Sequence, residues 1–381
     1  RAGTEAQNAD HPGRVTLLEN ESNLGVIGSV NKGFATAIER GHHVVLLNSD
    51  ALVPEGWASR LLRPLEVHEN VATVTPMSND AEIFSSPVMC VPTHLSPGDA
   101  DAVDAVARRF HPEATLSVAP TGVGFCMAMH IDWLRRFPTL DPVFGRGYGE
   151  EVDWCQKVRA QGGRHLGLPG LYVEHRGGES FGSEEKSRLI QANNQIVAKR
   201  YPTYDREVQI FIAADPLITP RVALAIACLA AQAKTADQPV PIYLAHSLGG
   251  GADDDLERRV AGDLSQMGGA IVLRVGGAQR WQVEVVTQQG RVSGSTDEFA
   301  FVEALLEPVG ARRLIYSCGV GDSDPAVLPD LFLSLRKFAM RDRIEVLIHD
   351  FFPLSPSYCL LDGSGVYRGC RRPGAMTPPI S

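Results

Sequence analysis

The sequence predicts an α/β protein built as two consecutive doubly wound units, and three observations carry that reading. Short apolar runs bounded by turn residues alternate with longer helical periodicities along the chain, the pattern of strands joined by crossover helices. A chain of 381 residues has room for two domains of ordinary size. The alternation pauses at Tyr201-Pro202 and restarts after Glu207, which sets the expected units at residues 1–205 and 206–381.

The first unit is organised around residues 43–50, HVVLLNSD. The apolar run 44–47 lies between Gly41 and Pro54 and reads as a buried parallel strand. It runs into Asn48-Ser49-Asp50, and in open α/β sheets ligands sit at the carboxyl ends of strands. A carboxylate there can hold a metal ion, or it can cap a helix starting near Pro54; on this stretch alone both readings stand.

In chain order, residues 15–18 read as a short strand and 20–28 as a turn-rich loop into a helix over 29–39. Gly25 and Gly28 permit close backbone approach, and amides at a helix start can bind phosphate, although an ordinary strand-to-helix turn has the same look. A helix over 55–68 and a strand over 71–75 complete a βαβαβ pattern, which implies a parallel sheet. Residues 76–116 form a long irregular segment with one helix near 100–110, and such loops are often functional. Residues 121–130, TGVGFCMAMH, read as a buried strand in which Gly122 and Gly124 could admit a ligand. A short helix over 131–136 follows. In 144–155, FGRGYGEEVDWC, glycine-rich slack gives way to a helix opening with Glu150, Glu151 and Asp153. Acids in a first turn suit the helix dipole, and with Tyr148 and Trp154 they also suit a grip on a hydroxylated substrate. Strands over 164–168 and 171–174 lead to His175, which opens a glycine-rich loop where a ligand role is open to it. A helix over 184–200 closes the unit.

In the second unit the expected strands are 208–213, 241–246, 271–275, 281–287, 314–317 and 344–348, with helices over 220–233, 254–267, 299–306 and 326–341. Its functional hints are the run Gly249, Gly250, Gly251 after a strand and His349 after another, each more often turn chemistry than a site.

Composition sets further bounds. The net charge of −9 argues against a broad nucleic-acid footprint. No apolar run reaches the ~18 residues of a membrane-crossing helix. Seven scattered cysteines with no CxxC pair fit reduced thiols in a cytosolic protein better than a disulfide frame or a zinc site. Arg1 in place of Met and the Pro-rich tail 373–381 suggest a fragment.

Five stretches in series, NESNLGVIGSVNKGFATA, VVLLNSDALVPEGW, GVGFCMAMH, FGRGYGEEVDWCQKVRAQG and YVEHRGGESFG, make residues ~15–200 resemble family 2 glycosyltransferases of GT-A fold, rhamnosyltransferase-like members in particular. The resemblance implies that Asn48-Ser49-Asp50 stands where the family has its DxD-type motif, with Asp50 and His175 holding a divalent metal, Mn2+ or Mg2+. It implies that Glu150-Glu151 supplies the catalytic base, although the family most often has Asp in the second place. It places Asp153 toward the acceptor, with Gly122, Gly124 and Trp154 as further acceptor candidates. Asn23, Gly25 and Asn31 would line the nucleotide diphosphate. The implied reaction is inverting transfer from a nucleotide-sugar to a saccharide or lipid-linked acceptor in bacterial surface polysaccharide synthesis, in the cytoplasm with peripheral membrane contact. The family's opening strand and its acidic base-reading motif have no counterpart in residues 1–14, so the sheet is expected to lack its first strand and the fragment to bind donor weakly.

The second unit is similar, more loosely, to the N-terminal half of GT-B glycosyltransferases through HSLGGGADDDLERRVAGDL and VLIHDFFPLSPSYCLLDGSGVYRGC. That likeness implies Gly249, Gly250 and Gly251 near a diphosphate and His349 near an acceptor. The competing readings are a non-catalytic carbohydrate-binding or scaffold module and, behind it, a two-metal phosphoesterase.

Overall fold

A computed structural model describes residues 16–177, 183–338, 340–355, 359–361 and 364–367, with the backbone only at 183–187. Residue 15, the end of the His175 loop (178–182), Cys370 and the Pro-rich tail lie outside the described residues. The chain is mixed α/β, as expected, with two six-stranded sheets.

The first sheet has the order β1-β5-β3-β6-β2, with β4 also on β6. Its strands are β1 (Val44–Leu47), β2 (Ala51–Leu52), β3 (Val71–Ser78), β4 (Ser117–Ala119), β5 (Cys126–Met129) and β6 (Arg164–His175). The central strand β3 is buried along its whole length. β1 departs from expectation. Among the described residues it is an edge strand, antiparallel to β5 with Val44 opposite Met129, and Leu47 is 43% exposed. A short apolar run reads alike for a central and an edge strand. Residues 16–20 form no strand, and Leu17 and Leu18 stay exposed. The expected strand over 121–130 is confined to its second half. Residues 164–175 form one strand rather than two: Pro76 lies opposite Leu168 and Met77 opposite Tyr172, so Pro169-Gly170-Leu171 bulge out of the ladder where proline has no amide to give.

Around this sheet lie α1 (Gly25–Arg40), α2 (Trp57–Val67), α3 (Asp99–Ala107), α4 (Ile131–Arg136), α5 (Glu150–Arg159), α6 (Ser183–Arg200), α7 (Tyr204–Ala214) and α8 (Ile218–Thr235). α1 ends at Gly41, whose left-handed φ of 70° lets its amide reach the carbonyls of Ala37 and Ile38. One core gathers Phe34, Trp133, Phe144 and Trp154; another gathers Leu61, Leu65, Phe84 and Tyr172. α7 replaces the strand expected over 208–213, and it spans the boundary expected after residue 205. Val208, Phe211 and Ile212 fall on one helical face against the core while Ile210 is exposed, so the β-branched run obeys the 3.6-residue period.

The second sheet has the order β10-β9-β8-β7-β11-β12, formed by β7 (Val240–His246), β8 (Gly269–Val275), β9 (Trp281–Thr287), β10 (Gly290–Thr296), β11 (Arg312–Tyr316) and β12 (Arg343–Val346). β8, β7, β11 and β12 run parallel, while β8-β9-β10 is an antiparallel meander, so the doubly wound part expected carries an antiparallel edge whose last strand, β10, was not expected. α9 (Gly251–Met267) covers one face through Leu256 and Val260. α8, α10 (Phe299–Leu305) and α11 (Leu328–Ser334) cover the other. α11 is shorter than the helix expected over 326–341, because the Asp342 carboxylate takes the amides of Lys337 and Phe338. α8 belongs to both halves: Val222, Ile226 and Leu229 enter the second core while Leu224, Ala227 and Cys228 enter the first.

Candidate active site

The turn after β1 delivers Asp50 straight into β2, whose Ala51 pairs with His175 at the end of β6. Asp50 Oδ1 lies 3.4 Å from His175 Nε2, and Asn48 Nδ2 lies 3.3 Å from the same nitrogen. Asp50 caps no helix; α2 begins later, behind Gly56. Its backbone carbonyl accepts from the Arg176 amide at 3.0 Å. Ser49 is exposed in the turn.

His175 is held on every side. Its Nδ1 lies 2.7 Å from the Asp80 carbonyl, which can only accept, so Nδ1 carries the proton and Nε2 keeps a lone pair toward Asp50. The Asn79 side chain accepts from the His175 amide at 2.8 Å and donates to the His175 carbonyl at 2.9 Å. A carboxylate oxygen and an imidazole lone pair at this spacing fit a divalent cation such as Mn2+ or Mg2+. Among the described residues no group of three or more His, Cys, Asp or Glu side chains converges, so the remaining ligands would come from substrate. The same fact leaves a two-metal phosphoesterase without its second ligand set.

The carboxylate pair is linked to this centre through Gly124 and Phe125. Gly124 lies against Glu151, with room for a Cβ 3.8 Å from Glu151 Cγ, and the ring of the next residue, Phe125, lies 5.1 Å from the His175 ring. Two residues adjacent in the chain thus touch the acidic pair and the imidazole in turn. Burial, and then the charge of Glu151, push the Glu150 carboxyl up to about 8, and its Oε2 has no hydrogen-bond partner. Glu151 accepts from the Gly149 amide at 3.3 Å. The preceding loop is not slack: Asn193 on α6 donates to the carbonyls of Phe144 and Gly147 at 3.0 and 2.7 Å.

Sequence reasoning missed Asn79, Asp80 and Glu82, which extend the site from the end of β3. Glu82 is exposed on the turn after β3, where the surrounding protein, then the charges of Glu151 and Asp80, raise its carboxyl. The signal was present: Ser78-Asn79-Asp80 after a strand repeats the pattern of Asn48-Ser49-Asp50.

Several expected residues belong elsewhere. Asp153 is 1% exposed and paired with Arg200 and Lys157, each at 2.6 Å, and with the Tyr201 hydroxyl at 2.8 Å. It ties α5 to α6. Trp154 is buried in the core and donates to the Phe137 carbonyl at 2.8 Å. A Cβ on Gly122 would overlap Met127 Sδ, so its glycine answers to packing. Asn31 spends both ends of its amide on Leu140, at 3.0 and 2.7 Å. The Asn23 side chain takes the Gly25 amide at 2.9 Å, and Gly25 has the φ of 67° that favours glycine.

In the second unit His349 lies at the carboxyl end of the sheet with Nδ1 3.1 Å from Ser317 Oγ and Nε2 3.8 Å from Asp255. Gly249 and Gly250 have φ of 74° and 92°, Gly250 precedes the first turn of α9, and nothing crowds a Cβ at Gly249, Gly250 or Gly251. Backbone conformation explains the first two glycines without a ligand. Burial holds the neighbouring His246 below its usual value.

Residues 1–135 match the family described as glycosyl transferase family 2. A structure of GalNAc-T7 with UDP, GalNAc and Mn2+ is similar at a TM-score of 0.35 and 18% identity, covering 50% of this chain; the chain spans 38% of that protein. The mannosyltransferase PcManGT from Pyrobaculum calidifontis, in complex with GDP-Man and Mn2+, is similar at a TM-score of 0.36 and 15% identity, covering 69% of this chain and 67% of that one. No curated protein sequence matches the chain.

Proposed function

We propose, for a chain whose first 135 residues match glycosyl transferase family 2, that it carries the active centre of a metal-dependent, inverting glycosyltransferase using a nucleotide-sugar donor. One observation supports the reading: Asp50 and His175 meet at 3.4 Å, with Phe125 against the His175 ring and its neighbour Gly124 against Glu151. A divalent cation held by Asp50 and His175 Nε2 would supply charge neutralisation for a departing diphosphate.

The chain's own residues do the rest. Asp80 and Asn79 fix the imidazole so that its free nitrogen and the Asp50 carboxylate present one face. Glu151 is the residue to accept the proton of an attacking acceptor hydroxyl. Glu150 keeps a proton in the pair and so spares Glu151 a second adjacent negative charge. Attack on the face opposite the departing diphosphate gives inversion at the anomeric carbon. The rhamnosyltransferase-like motif series favours a saccharide or lipid-linked acceptor in bacterial surface polysaccharide synthesis, at the cytoplasmic side of a membrane.

Calorimetric titration with UDP, GDP and dTDP, with and without Mn2+, tests the reading. Metal-dependent binding of one nucleotide, lost in Asp50→Ala, is expected. Binding of none, also by protein carrying additional residues before Arg1, would favour a non-catalytic module.

A further inference from the structure

We infer that Arg221, on the helix shared with the second sheet, is a positioning residue for the candidate metal centre: it clamps the segment 79–86 that fixes His175. The inference rests on the reading of Asp50 and His175 given above.

Arg221 is 1% exposed, and its guanidinium makes four hydrogen bonds. Nε and Nη2 donate to the two Asp215 carboxylate oxygens at 2.8 and 3.1 Å. The remaining donors turn to the main chain, Nη2 to the Ile83 carbonyl at 3.0 Å and Nη1 to the Ser85 carbonyl. Those carbonyls belong to the turn that follows β3, which contains the helical turn Glu82–Phe84.

That turn folds back on the strand end. The Ser86 amide donates to the Ser78 carbonyl at 2.8 Å, and the Ala81 amide to Ser85 Oγ at 2.9 Å. Between these anchors stand Asn79 and Asp80, which hold the amide, carbonyl and Nδ1 of His175. The same turn aims Glu82 toward Glu151. A continuous series of hydrogen bonds thus runs from α8 to the imidazole.

Burying a guanidinium is costly, and an apolar side chain of like volume often replaces a buried ion pair without loss of stability. What an apolar side chain cannot do is fix two carbonyls in one plane, which the rigid fork of arginine does. The clamp also gives the second sheet a part in the centre, because α8 packs on both cores.

The test uses the whole chain with Arg221→Met and Arg221→Lys. Amide exchange is followed at His175, Ser86 and Ala81 and, as a control, along β7 and β8; Mn2+ affinity is followed by electron paramagnetic resonance. Loss of an outer-shell partner typically weakens metal binding by 10–100-fold, and one step further out the expectation for Arg221→Met is about 10-fold. Exchange at the three amides should quicken by about 10-fold, with the control within about 2-fold. Arg221→Lys, which keeps the charge against Asp215 but not the fork, should fall near 3-fold on both readouts and carries the test if the Met variant does not fold. The inference is overturned if exchange and Mn2+ affinity stay within about 2-fold of wild type, or if β7 and β8 quicken as much as His175. If wild type and His175→Ala bind Mn2+ alike, the metal reading is what fails, and exchange at His175 alone then decides whether the clamp exists.

Discussion

Replacing Glu150 by Gln should make the protein relatively more stable as pH rises. Glu150 moves from the ordinary 4.5 to about 8 on folding, chiefly through burial and then through Glu151. Between those pH values the folded chain holds a proton that the unfolded chain has released. The stability it contributes is therefore full below about 4.5, falls as pH climbs, and is gone above about 8. One proton over one pH unit is worth about 1.4 kcal/mol, so raising pH from 5.5 to 7.5 costs at most about 2.7 kcal/mol through this carboxyl. Glu150 is only partly buried and shares its proton with Glu151, which brings the expected share to roughly 1–1.5 kcal/mol. The assay is urea unfolding of wild type and Glu150→Gln at both pH values. The variant should gain that amount relative to wild type between pH 5.5 and 7.5. An unchanged difference between the two proteins would refute the raised Glu150 and the shared proton with it.

Asp50→Ala should weaken Mn2+-dependent nucleotide binding by about 100-fold or more in calorimetry, since it removes one of the two side chains proposed to hold the metal. Asn79→Ala should weaken Mn2+ binding by about 10–100-fold and lower stability by about 2–4 kcal/mol, because the amide serves Thr93 and both main-chain groups of His175. Asp153→Ala should cost about 2–4 kcal/mol in urea unfolding by stranding Arg200 and Lys157, while nucleotide affinity of the folded protein stays within about 2-fold. Gly122→Ala should destabilise by about 1–3 kcal/mol through its overlap with Met127, with no separate effect on affinity once folded.

What was legible in the sequence was local. The positions of Asp50 and His175 after strands were readable because each follows an apolar run and precedes a turn. The acidic pair was readable because a glycine-rich stretch and a first helical turn bracket it. What was illegible depends on a distant partner. Nothing near Asp153 announces that Arg200 will neutralise it, and nothing near Asn31 announces that its amide will close on Leu140. The β-branched run in α7 misled because its two periodicities coexist and only the core against Phe211 selects the helical one. β1 misled because an edge strand and a central one differ in their neighbours, not in their own residues.

α8 is buried along nearly all of its length, with aliphatic side chains committed to both cores. A helix without a wet side cannot act as an axle. The two sheets are mortised together, and swinging one against the other would expose apolar surface on both sides of the joint at once. Cutting the chain between α7 and α8 would strip each half of part of its own interior, so the halves should melt as one cooperative body rather than in turn.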